Sequence, residues 1–452
     1  MALWFQSALL AEGWAEGVRM DVSAGRIARI EPGTRPEPGD ERHGHAVPGL
    51  PNLHSHAFQR AMAGLAERRG PGADSFWTWR QAMYGFVDRL EPDDVEAIAG
   101  QAFMEMLETG FTRVAEFHYL HHDPAGRAYR DIAEMATRIA AAAAATGIGL
   151  TLLPVFYAHG GFGGQATADA QRRFVTDVER FARLQDGCEK AIRSLDGAVL
   201  GVAPHSLRAV TPEELRQVAA LGSDGPVHIH VAEQMKEVED CLAWSGARPV
   251  EWLLEHAAVD SRWCLVHATH VTPSERSAIA ASGAVVGLCP ITEANLGDGI
   301  FDAARYREAG GQYGIGSDSN VLIDAAEEMR LLEYGQRLSM RGRNLLSSVG
   351  RPSTGRTMID DALTGGARAT GASPASLAVG APADILTLDP MHSALIGRTG
   401  DALLDGWIFA SRASPIDRVW RAGRMVVADG RHVTRDAIEA RYRTTIERLT
   451  PA

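Results

Sequence analysis

The sequence predicts an α/β protein in which a (β/α)₈ barrel carries a small β domain built from both ends of the chain. Two observations carry this prediction. About 325 central residues alternate short apolar runs with longer helical patterns, and strand-like runs flank them on both sides. The length of 452 residues also exceeds the usual single-domain range of about 100–200, as a barrel with an accessory domain would.

Both ends of the chain read as short strands separated by turns. The runs are Ala2–Ala11, Val18–Val22 and Arg26–Ile30, then a Pro/Gly-rich link at Pro32–Asp40, and near the other end Ala383–Leu388, Gly406–Ala410 and Arg418–Val427. Compact domains often bring their termini together, so we expect the two ends to pair. The predicted boundaries are 1–47 with 375–430 for the composite β domain, 48–374 for the barrel and 431–452 for a C-terminal helix.

The central region contains eight candidate strands that finish in polar residues. Their ends fall at Leu53–His56, Val114–Tyr119, Leu153–Tyr157, Val202–His205, Val227–His230, Cys264–His267, Val285–Cys289 and Tyr313–Asp318. Helical patterns fill the intervals at Pro92–Thr109, Asp131–Thr146, Thr167–Leu184, Pro212–Leu221, Pro249–Ala257, Pro273–Ala281 and Asp324–Leu338. In a (β/α)₈ barrel the carboxyl ends of the strands form the rim that bears the chemistry, so these polar ends predict an active site.

Charge and composition exclude several classes of partner. The formal net charge is −12, so no long-range positive field attracts nucleic acid or anionic lipid. The four cysteines lie far apart without a CxxC pair, which argues against a disulfide framework or a thiolate zinc site. No apolar run approaches the roughly 18 residues that span a bilayer, and no basic-then-apolar leader opens the chain. We therefore expect a cytoplasmic protein that acts on a small molecule.

A candidate metal site begins with His54 and His56, which stand two residues apart on a strand and therefore share a face. A single pair of this kind is more often incidental than ligating. Later strands, however, place His230, His267 and Asp318 at the same rim. Imidazole and carboxylate ligands suit zinc with one position open to water, although Fe²⁺ or Mn²⁺ could occupy the same ligands.

Neighbouring histidines have simpler interpretations. His228 shares a face with His230 but lies lower on its strand, where a hydrogen-bonded histidine of the barrel interior is expected. His230 lies nearer the strand end and is followed three residues later by Glu233, which a bend would bring beside a metal-bound water. Three further histidines are expected to be solvated loop residues: His118, His121 and His122.

Together these motifs resemble the amidohydrolase superfamily. The resemblance rests on Pro51–His56, His230 with Glu233, His267, Gly316–Asp318 and the closing Gly380–Asp384, and it covers nearly the whole chain. It implies a distorted (β/α)₈ TIM barrel with a small β-sandwich made by both termini, and it suggests a homodimer.

The lysines bear on the number of metal ions. Many binuclear members of the superfamily bridge their metals with a lysine of the fourth strand, but the only lysines here are Lys190, placed in the linker before that strand, and Lys236, beyond the fifth. The resemblance therefore implies one zinc ion per subunit. Its implied ligands are His54, His56, His230 and Asp318.

Six stretches are similar to one branch of that superfamily, whose members hydrolyse N-formimino-L-glutamate to N-formyl-L-glutamate and ammonia in histidine degradation. They are Asn52–Gly64, Ser75–Arg80, Ala115–Tyr119, His205–Val210, Val227–Gln234 and Thr292–Phe301. The resemblance implies three catalytic residues, namely Glu233, His267 and Asp318. It also implies five substrate-binding residues, namely Gln59, Arg80, Tyr119, His205 and Arg208.

The chemistry of that substrate fits two of these residues in particular. N-formimino-L-glutamate carries two carboxylates, and a guanidinium can hold a carboxylate through two parallel hydrogen bonds. Arg208 lies in the rim loop after the fourth strand, and Arg80 directly follows Phe76–Trp79 in the first βα loop, which the tryptophans are expected to pack. Which arginine holds which carboxylate stays open, as does the choice among close formimino or related amidine compounds.

Two other functions stay open. One is a mononuclear deaminase of an aminoheterocycle such as guanine, which would use the same metal ligands with a different rim. The other is a metal-binding scaffold without catalysis, against which the intact set of Glu233, His267 and Asp318 argues. A substrate panel separates the first from N-formimino-L-glutamate hydrolysis, and metal-dependent turnover separates the second.

Overall fold

A computed structural model of the protein describes residues 1–69, 71–222 and 224–450. The strands are β1 (Ala2–Leu10), β2 (Gly13–Ser23), β3 (Arg26–Glu31), β4 (Glu41–Pro48), β5 (Leu50–Ser55), β6 (Phe111–His118), β7 (Gly149–Phe156), β8 (Val199–Leu200), β9 (Ala203–Pro204), β10 (Val227–Val231), β11 (Trp263–His267), β12 (Val285–Leu288), β13 (Gln312–Ile315), β14 (Ile385–Leu388), β15 (Ile416–Arg421), β16 (Arg424–Ala428) and β17 (Arg431–His432). The α-helices are α1 (Phe76–Val87), α2 (Pro92–Glu108), α3 (Glu134–Thr146), α4 (Val178–Ile192), α5 (Pro212–Leu221), α6 (Met235–Ser245), α7 (Pro249–His256), α8 (Pro273–Ser282), α9 (Pro290–Leu296), α10 (Ala303–Glu308), α11 (Ala325–Met340), α12 (Thr354–Ala369), α13 (Asp401–Ala410) and α14 (Arg435–Leu449).

The two ends of the chain form one hydrogen-bonded sheet in the order β17-β16-β15-β14-β4-β1-β2-β3. Strands β14 and β4 join the two ends in antiparallel register, with Leu386 opposite Val47. The sheet has a hydrophobic core of its own that combines both ends, with Phe5, Met20 and Trp420 fully buried. This confirms the predicted pairing of the termini, while the exact domain boundaries stay a prediction.

The central strands form a parallel barrel. One run of pairs joins β5 through β8 and another joins β10 through β13, while β9 continues the path of β8 beside β7. Single parallel bridges connect the two runs, from Ser55 to Asp318 on one side and from Val202 to Val227 on the other. A small apolar cluster that includes Leu53, Cys264 and Val285 fills the interior. The predicted fold class, a distorted (β/α)₈ barrel with a small β domain, is confirmed.

Helix starts follow the cap-and-proline signals in the sequence. Helix α5 begins at Pro212 directly after Thr211, whose side chain accepts a hydrogen bond from the backbone N–H of Glu214. Helix α8 begins at Pro273 in the same way after Thr272. Proline at the first helical position has no N–H to leave unpaired, so this local signal predicts the boundary well.

Three local predictions were wrong. Gly406–Ala410, predicted as a strand, lies in α13, where Leu403, Leu404 and Trp407 are buried at helical spacing. The helix predicted at Thr167–Leu184 is instead a short 3₁₀ turn at Asp169–Gln171 followed by α4. The segment Phe76–Trp79, predicted as loop, begins α1, so Arg80 projects from a helix.

Other differences are smaller. Strand β4 was not predicted, and Lys190 lies within α4 rather than in a linker. The helix predicted at 431–452 corresponds to α14, but its first two residues form β17 instead, and positions 451 and 452 of that prediction lie outside the described residues. No helix in the described part of the chain is long and apolar enough to cross a membrane.

Candidate active site

A cavity of about 50 Å³ opens at the carboxyl ends of the barrel strands. The sequence-predicted site residues that line it are His56, Gln59, Arg80, Tyr119, His205, Arg208, His230, Glu233, His267 and Asp318. His54, the remaining predicted residue, is fully buried directly beside this cavity. Neither of the two lysines lines the cavity. The structure therefore brings together residues that are as far apart in sequence as His54 and Asp318.

Four side chains converge as the predicted metal ligands. Each of His54, His56, His230 and Asp318 offers one atom, and these atoms all lie within 4.8 Å of one another. The Nε2 atom of His54 lies 3.2 Å from Nε2 of His56 and 3.0 Å from Nε2 of His230. Asp318 Oδ1 lies 3.3 Å from Nε2 of His56. Tetrahedral ligands at about 2.0–2.1 Å from zinc stand roughly 3.3 Å apart, so this donor set fits one such ion.

The other ring nitrogens of two ligands are occupied by backbone carbonyls. Nδ1–H of His56 donates to the carbonyl of Phe117 at 3.0 Å, and Nδ1–H of His230 donates to the carbonyl of His205, also at 3.0 Å. These bonds set the tautomer that leaves Nε2 free to bind a metal. Burial lowers the pKa of His56 to about 3, so its ring is a neutral ligand near neutral pH.

A buried polar network holds the ligand-bearing strand ends against each other. The side chain of Asn52 donates to Ser317 Oγ at 2.7 Å and accepts from the Ser317 N–H at 3.1 Å, which ties β5 to the turn after β13. The Asn320 amide donates to Ser55 Oγ and to the carbonyl of His56, both at 3.1 Å. Asn320 is a residue that sequence reasoning missed.

Gly316 allows the closest approach of these two strand ends. A Cβ atom at Gly316 would lie 2.8 Å from the carbonyl oxygen of His54 and 2.9 Å from its backbone nitrogen. A side chain at Gly316 would therefore push the turn bearing Asp318 away from the strand bearing His54, which explains the glycine of the Gly316–Asp318 motif.

Glu233, His267 and Asp318 face one another beside the metal ligands. Nε2 of His267 lies 3.7 Å from Glu233 Oε1 and 3.7 Å from Asp318 Oδ2. Burial lowers the pKa of His267, but Glu233, Glu293 and Asp318 outweigh it and raise that pKa to about 10. Burial raises the pKa of Asp318 to about 7, against the opposing effect of His267. Acidic and basic groups of this kind suit proton transfer.

Backbone strain accompanies these residues. His267 and Asp318 have φ values of 68° and 43°, and Ala232, next to Glu233, has a φ of 52°. L-residues rarely adopt this left-handed region, and such strain persists where surrounding contacts enforce it, commonly at functional sites.

Arg80 lines the cavity and is fixed by aromatic groups. Its Nη2 donates to the Tyr157 hydroxyl at 3.0 Å, and its guanidinium stacks over the rings of Trp77 at 5.7 Å and Tyr84 at 5.3 Å. Trp79, on the same helix, lines the cavity itself. The aromatic residues thus orient Arg80 from a helix, where a loop was expected.

Arg208 and its surroundings were only partly predicted. Its Nη2 lies 3.9 Å from Oε2 of Glu237, which is buried, and its Nε has no hydrogen-bond partner in the described part of the chain. The Glu237 carboxylate also accepts hydrogen bonds from the backbone N–H groups of Ala232 at 3.1 Å and Glu233 at 3.3 Å. Glu237 therefore holds both Arg208 and the turn that carries Glu233, and sequence reasoning missed it.

The remaining predicted substrate-binding residues surround the ligands. Gln59 donates from Nε2 to the Tyr119 hydroxyl at 2.8 Å, and its Oε1 has no partner among the described residues. His205 contacts the Tyr157 ring with centroids 4.7 Å apart. These groups offer hydrogen bonds to a polar ligand.

Three further histidines differ in burial from the sequence prediction. His118, His121 and His122 were expected to be solvated, but all three are buried. His121 and His122 donate from Nε2 to the backbone carbonyls of Val155 and Val175, both at 2.8 Å. His121 and His122 thereby tie the loop after β6 to carbonyl groups that lie more than 30 residues further along the chain, contacts that no local sequence pattern shows.

Comparisons with known proteins identify the family of the chain. The model of the amidohydrolase family matches residues 46–426, and that of the formimidoylglutamate deiminase HutF N-terminal domain matches residues 2–44. The formimidoylglutamate deiminase of Pseudomonas aeruginosa is 54% identical over 433 residues, which cover 95% of each chain.

Solved structures agree with this placement. A crystal structure of an amidohydrolase from Brucella melitensis superimposes with a TM-score of 0.96 and 56% identity over 99% of each chain. An adenosine deaminase from Xanthomonas campestris with bound zinc shares the fold, with a TM-score of 0.81 and 23% identity over 99% of this chain and 98% of that one. The chain therefore belongs to the amidohydrolase family and, within it, to the formimidoylglutamate deiminases.

Proposed function

We propose that this protein hydrolyses N-formimino-L-glutamate to N-formyl-L-glutamate and ammonia, a reaction of histidine degradation. The observation that carries the proposal is a single small cavity lined by metal ligands, by Glu233 and His267, and by two arginines. The relative from Pseudomonas aeruginosa, whose name states this activity, supports the same reaction. Three imidazoles and one carboxylate favour zinc as the metal, with Fe²⁺ or Mn²⁺ as alternatives.

The charges of the cavity suit this substrate. The chain carries a net charge of −12, so a dicarboxylate needs local cations, and Arg80 and Arg208 supply two at the cavity wall. In the same cavity, Glu233 supplies a carboxylate for the cationic formimino group. A planar nucleobase would have no use for two guanidinium groups.

The metal, when bound, supplies Lewis-acid activation of the attacking water. Asp318 has its two oxygens in different surroundings, since Oδ1 faces the other ligands and Oδ2 faces His267. Oδ2 is therefore placed to accept a proton from the water as its oxygen bonds to the formimino carbon. His267 donates a hydrogen bond from Nε2 to the charge that develops in the tetrahedral adduct.

Glu233 completes the reaction at the leaving group. Its carboxylate first pairs with the cationic formimino nitrogen. In the tetrahedral adduct it takes the hydroxyl proton and passes it to that nitrogen, so that the carbon–nitrogen bond breaks, the formyl C=O forms and ammonia departs, while the first proton of the water leaves from Asp318. The products are ammonia and the formyl group that retains the oxygen of the water. The remainder of the substrate, held by the arginines, stays in place during this step.

The proposal is tested by a substrate panel with the metal-loaded protein. We expect ammonia release from N-formimino-L-glutamate and none from guanine or other aminoheterocycles. Turnover of a purine alone would contradict the proposal and favour the heterocycle deaminase, and no metal-dependent turnover of any kind would favour a scaffold. Metal analysis of the same sample tests the assignment of zinc. The homodimer and the cytoplasmic location stay predictions.

Replacing Arg208 with methionine is expected to raise KM for N-formimino-L-glutamate about 10–100-fold while kcat changes by less than about threefold. The reason is that a charge-assisted hydrogen bond contributes about 1.5–3 kcal/mol and binds substrate and transition state alike. Steady-state ammonia release measures both constants. Arg216→Met, at an exposed arginine of α5, is the matched control and should leave both constants unchanged. An unaltered KM in the Arg208 variant would remove this residue from carboxylate binding.

A further inference from the structure

The segment Thr292–Phe301 resembles its counterpart in the family, yet the reaction described above uses none of its residues. Its first residues lie at the start of α9, against the catalytic groups. Glu293 Oε1 accepts a hydrogen bond from Nδ1–H of His267 at 3.2 Å. Both side chains are buried, with 5% of Glu293 and 1% of His267 exposed.

We propose that Glu293 is a positioning residue that keeps the proton on Nδ1 of His267 and thereby directs Nε2 at the reacting atoms. This inference rests on the proposed function, since it assigns His267 a supporting partner in that reaction. A carboxylate only accepts hydrogen bonds, so a Glu293 carboxylate requires a proton on Nδ1. Nε2 is then the one ring nitrogen that can exchange a proton or hydrogen bond with the site.

The structure fixes Glu293 independently of His267. The same Oε1 atom accepts a hydrogen bond from the backbone N–H of Cys289 at 3.0 Å, and the Glu293 N–H donates to the Cys289 carbonyl at 2.9 Å. The carboxylate is thus held at the first turn of its own helix before any contact with the imidazole. A fixed acceptor orients a mobile ring, which is the arrangement that a positioning role requires.

His267 needs such support because its backbone is strained. Its φ of 68° and that of 47° at Ala268 turn the chain sharply at the end of β11. The imidazole must still point Nε2 between Glu233 and Asp318, each at 3.7 Å. Rotation of the ring by half a turn about the Cβ–Cγ bond would place carbon atoms where Nδ1 and Nε2 now lie, and the Glu293 hydrogen bond to Nδ1 opposes that rotation.

The neighbouring Thr292 supports the same interpretation of this helix start. Its hydroxyl accepts a hydrogen bond from the Ser319 N–H at 3.2 Å and lies 3.0 Å from Ser319 Oγ. Ser319 directly follows Asp318. The start of α9 therefore contacts both the segment that carries His267 and the segment that carries Asp318. Glu293 makes the contact with His267.

The test compares Glu293→Ala and Glu293→Gln in the metal-loaded enzyme. We expect the alanine variant to lose about 10–100-fold in kcat, the usual effect of removing such a supporting partner, with KM and metal content unchanged. The glutamine variant should recover most of that loss, since the Cys289 N–H requires an oxygen at that position and the same oxygen can accept from His267. A glutamine variant as slow as the alanine variant would overturn the inference.

A double variant distinguishes a positioning role of Glu293 from a role in stability alone. In a His267→Asn background, Glu293→Ala should cause no further loss of kcat, because its effect passes through His267. An additional loss equal to that seen in the wild-type background would overturn the inference, as would wild-type kcat in the Glu293→Ala single variant.

Glu275→Ala provides the matched control. Glu275 is also a glutamate at a helix start with 5% exposed surface, it accepts a hydrogen bond from the Thr272 N–H at 2.7 Å, and it does not line the cavity. This variant should lower Tm without changing kcat. The proposed function is contradicted if the wild-type enzyme does not turn over N-formimino-L-glutamate. The Glu293 inference is contradicted only by the comparisons between variants. Those comparisons are made with whichever substrate of the panel the wild-type enzyme turns over.

Discussion

Replacing Asp318 with asparagine is expected to lower kcat for N-formimino-L-glutamate by about 10³–10⁴-fold and to lower the bound metal per subunit. Two functions are lost together, because Oδ1 belongs to the ligand cluster and Oδ2 faces His267. An asparagine side chain offers one carbonyl oxygen and one NH2 group, and the NH2 group cannot accept a proton from water. General base catalysis alone contributes about 10²–10⁴-fold, and a weakened metal site adds to the loss.

The measurement combines ammonia release with metal stoichiometry on the same purified sample. Asp324→Asn is the matched control, since Asp324 caps α11 through the N–H groups of Ala326 and Glu327 and asparagine caps a helix about as well. That control should retain kcat and metal content. Turnover of the Asp318 variant within tenfold of wild type would show that another group accepts the proton.

The sequence predicted that the metal ligands lie close together because the rule behind their placement is geometric. Parallel strands bring their carboxyl ends to one rim, so strand periodicity placed His54, His56, His230, His267 and Asp318 there, and the family resemblance implied which four of them are ligands. The structure brings their ligand atoms within 4.8 Å of one another. The local strand pattern and the topology of the barrel both place these side chains at the same rim. A prediction from sequence succeeds where the local pattern and the overall fold agree.

The supporting residues could not be predicted in the same way. Glu237 and Glu293 contribute through bonds to Arg208 and His267, which are brought near them only by the folded barrel. A single glutamate in a helix start reads in sequence as a cap, and both residues do accept backbone N–H groups. Their second contacts depend on tertiary structure, and only Glu293 lies in one of the segments that resemble the family.

Local conflicts explain the misassigned elements. The run Gly406–Ala410 is short and apolar, and such runs fit a strand or a buried helix equally well. In the structure, Trp407 is buried in the core between the barrel and the terminal sheet, and this burial favours the helix α13 over a strand. Phe76–Trp79 was misassigned in a different way, since its aromatic residues were expected in a loop but begin the helix that presents Arg80.

Replacing Glu233 with glutamine is expected to lower kcat by about 10²–10⁴-fold and to leave the bound metal unchanged. Glutamine has nearly the same shape as glutamate, but it cannot carry the proton that the departing nitrogen needs. Glu233 lies outside the ligand cluster, and its Oε1 is 3.7 Å from His267 Nε2. Loss of its charge should also raise KM modestly, since the formimino group loses its counter-charge.

Metal stoichiometry distinguishes this result from the Asp318 variant. Both variants lose turnover, but only the Asp318 variant should also lose metal, because only Asp318 belongs to the ligand set. Glu239→Gln, at an exposed glutamate of α6, controls for the loss of one negative charge near the rim. Full turnover by the Glu233 variant would transfer the protonation of the leaving nitrogen to His267, whose Nε2 faces the same space between Glu233 and Asp318.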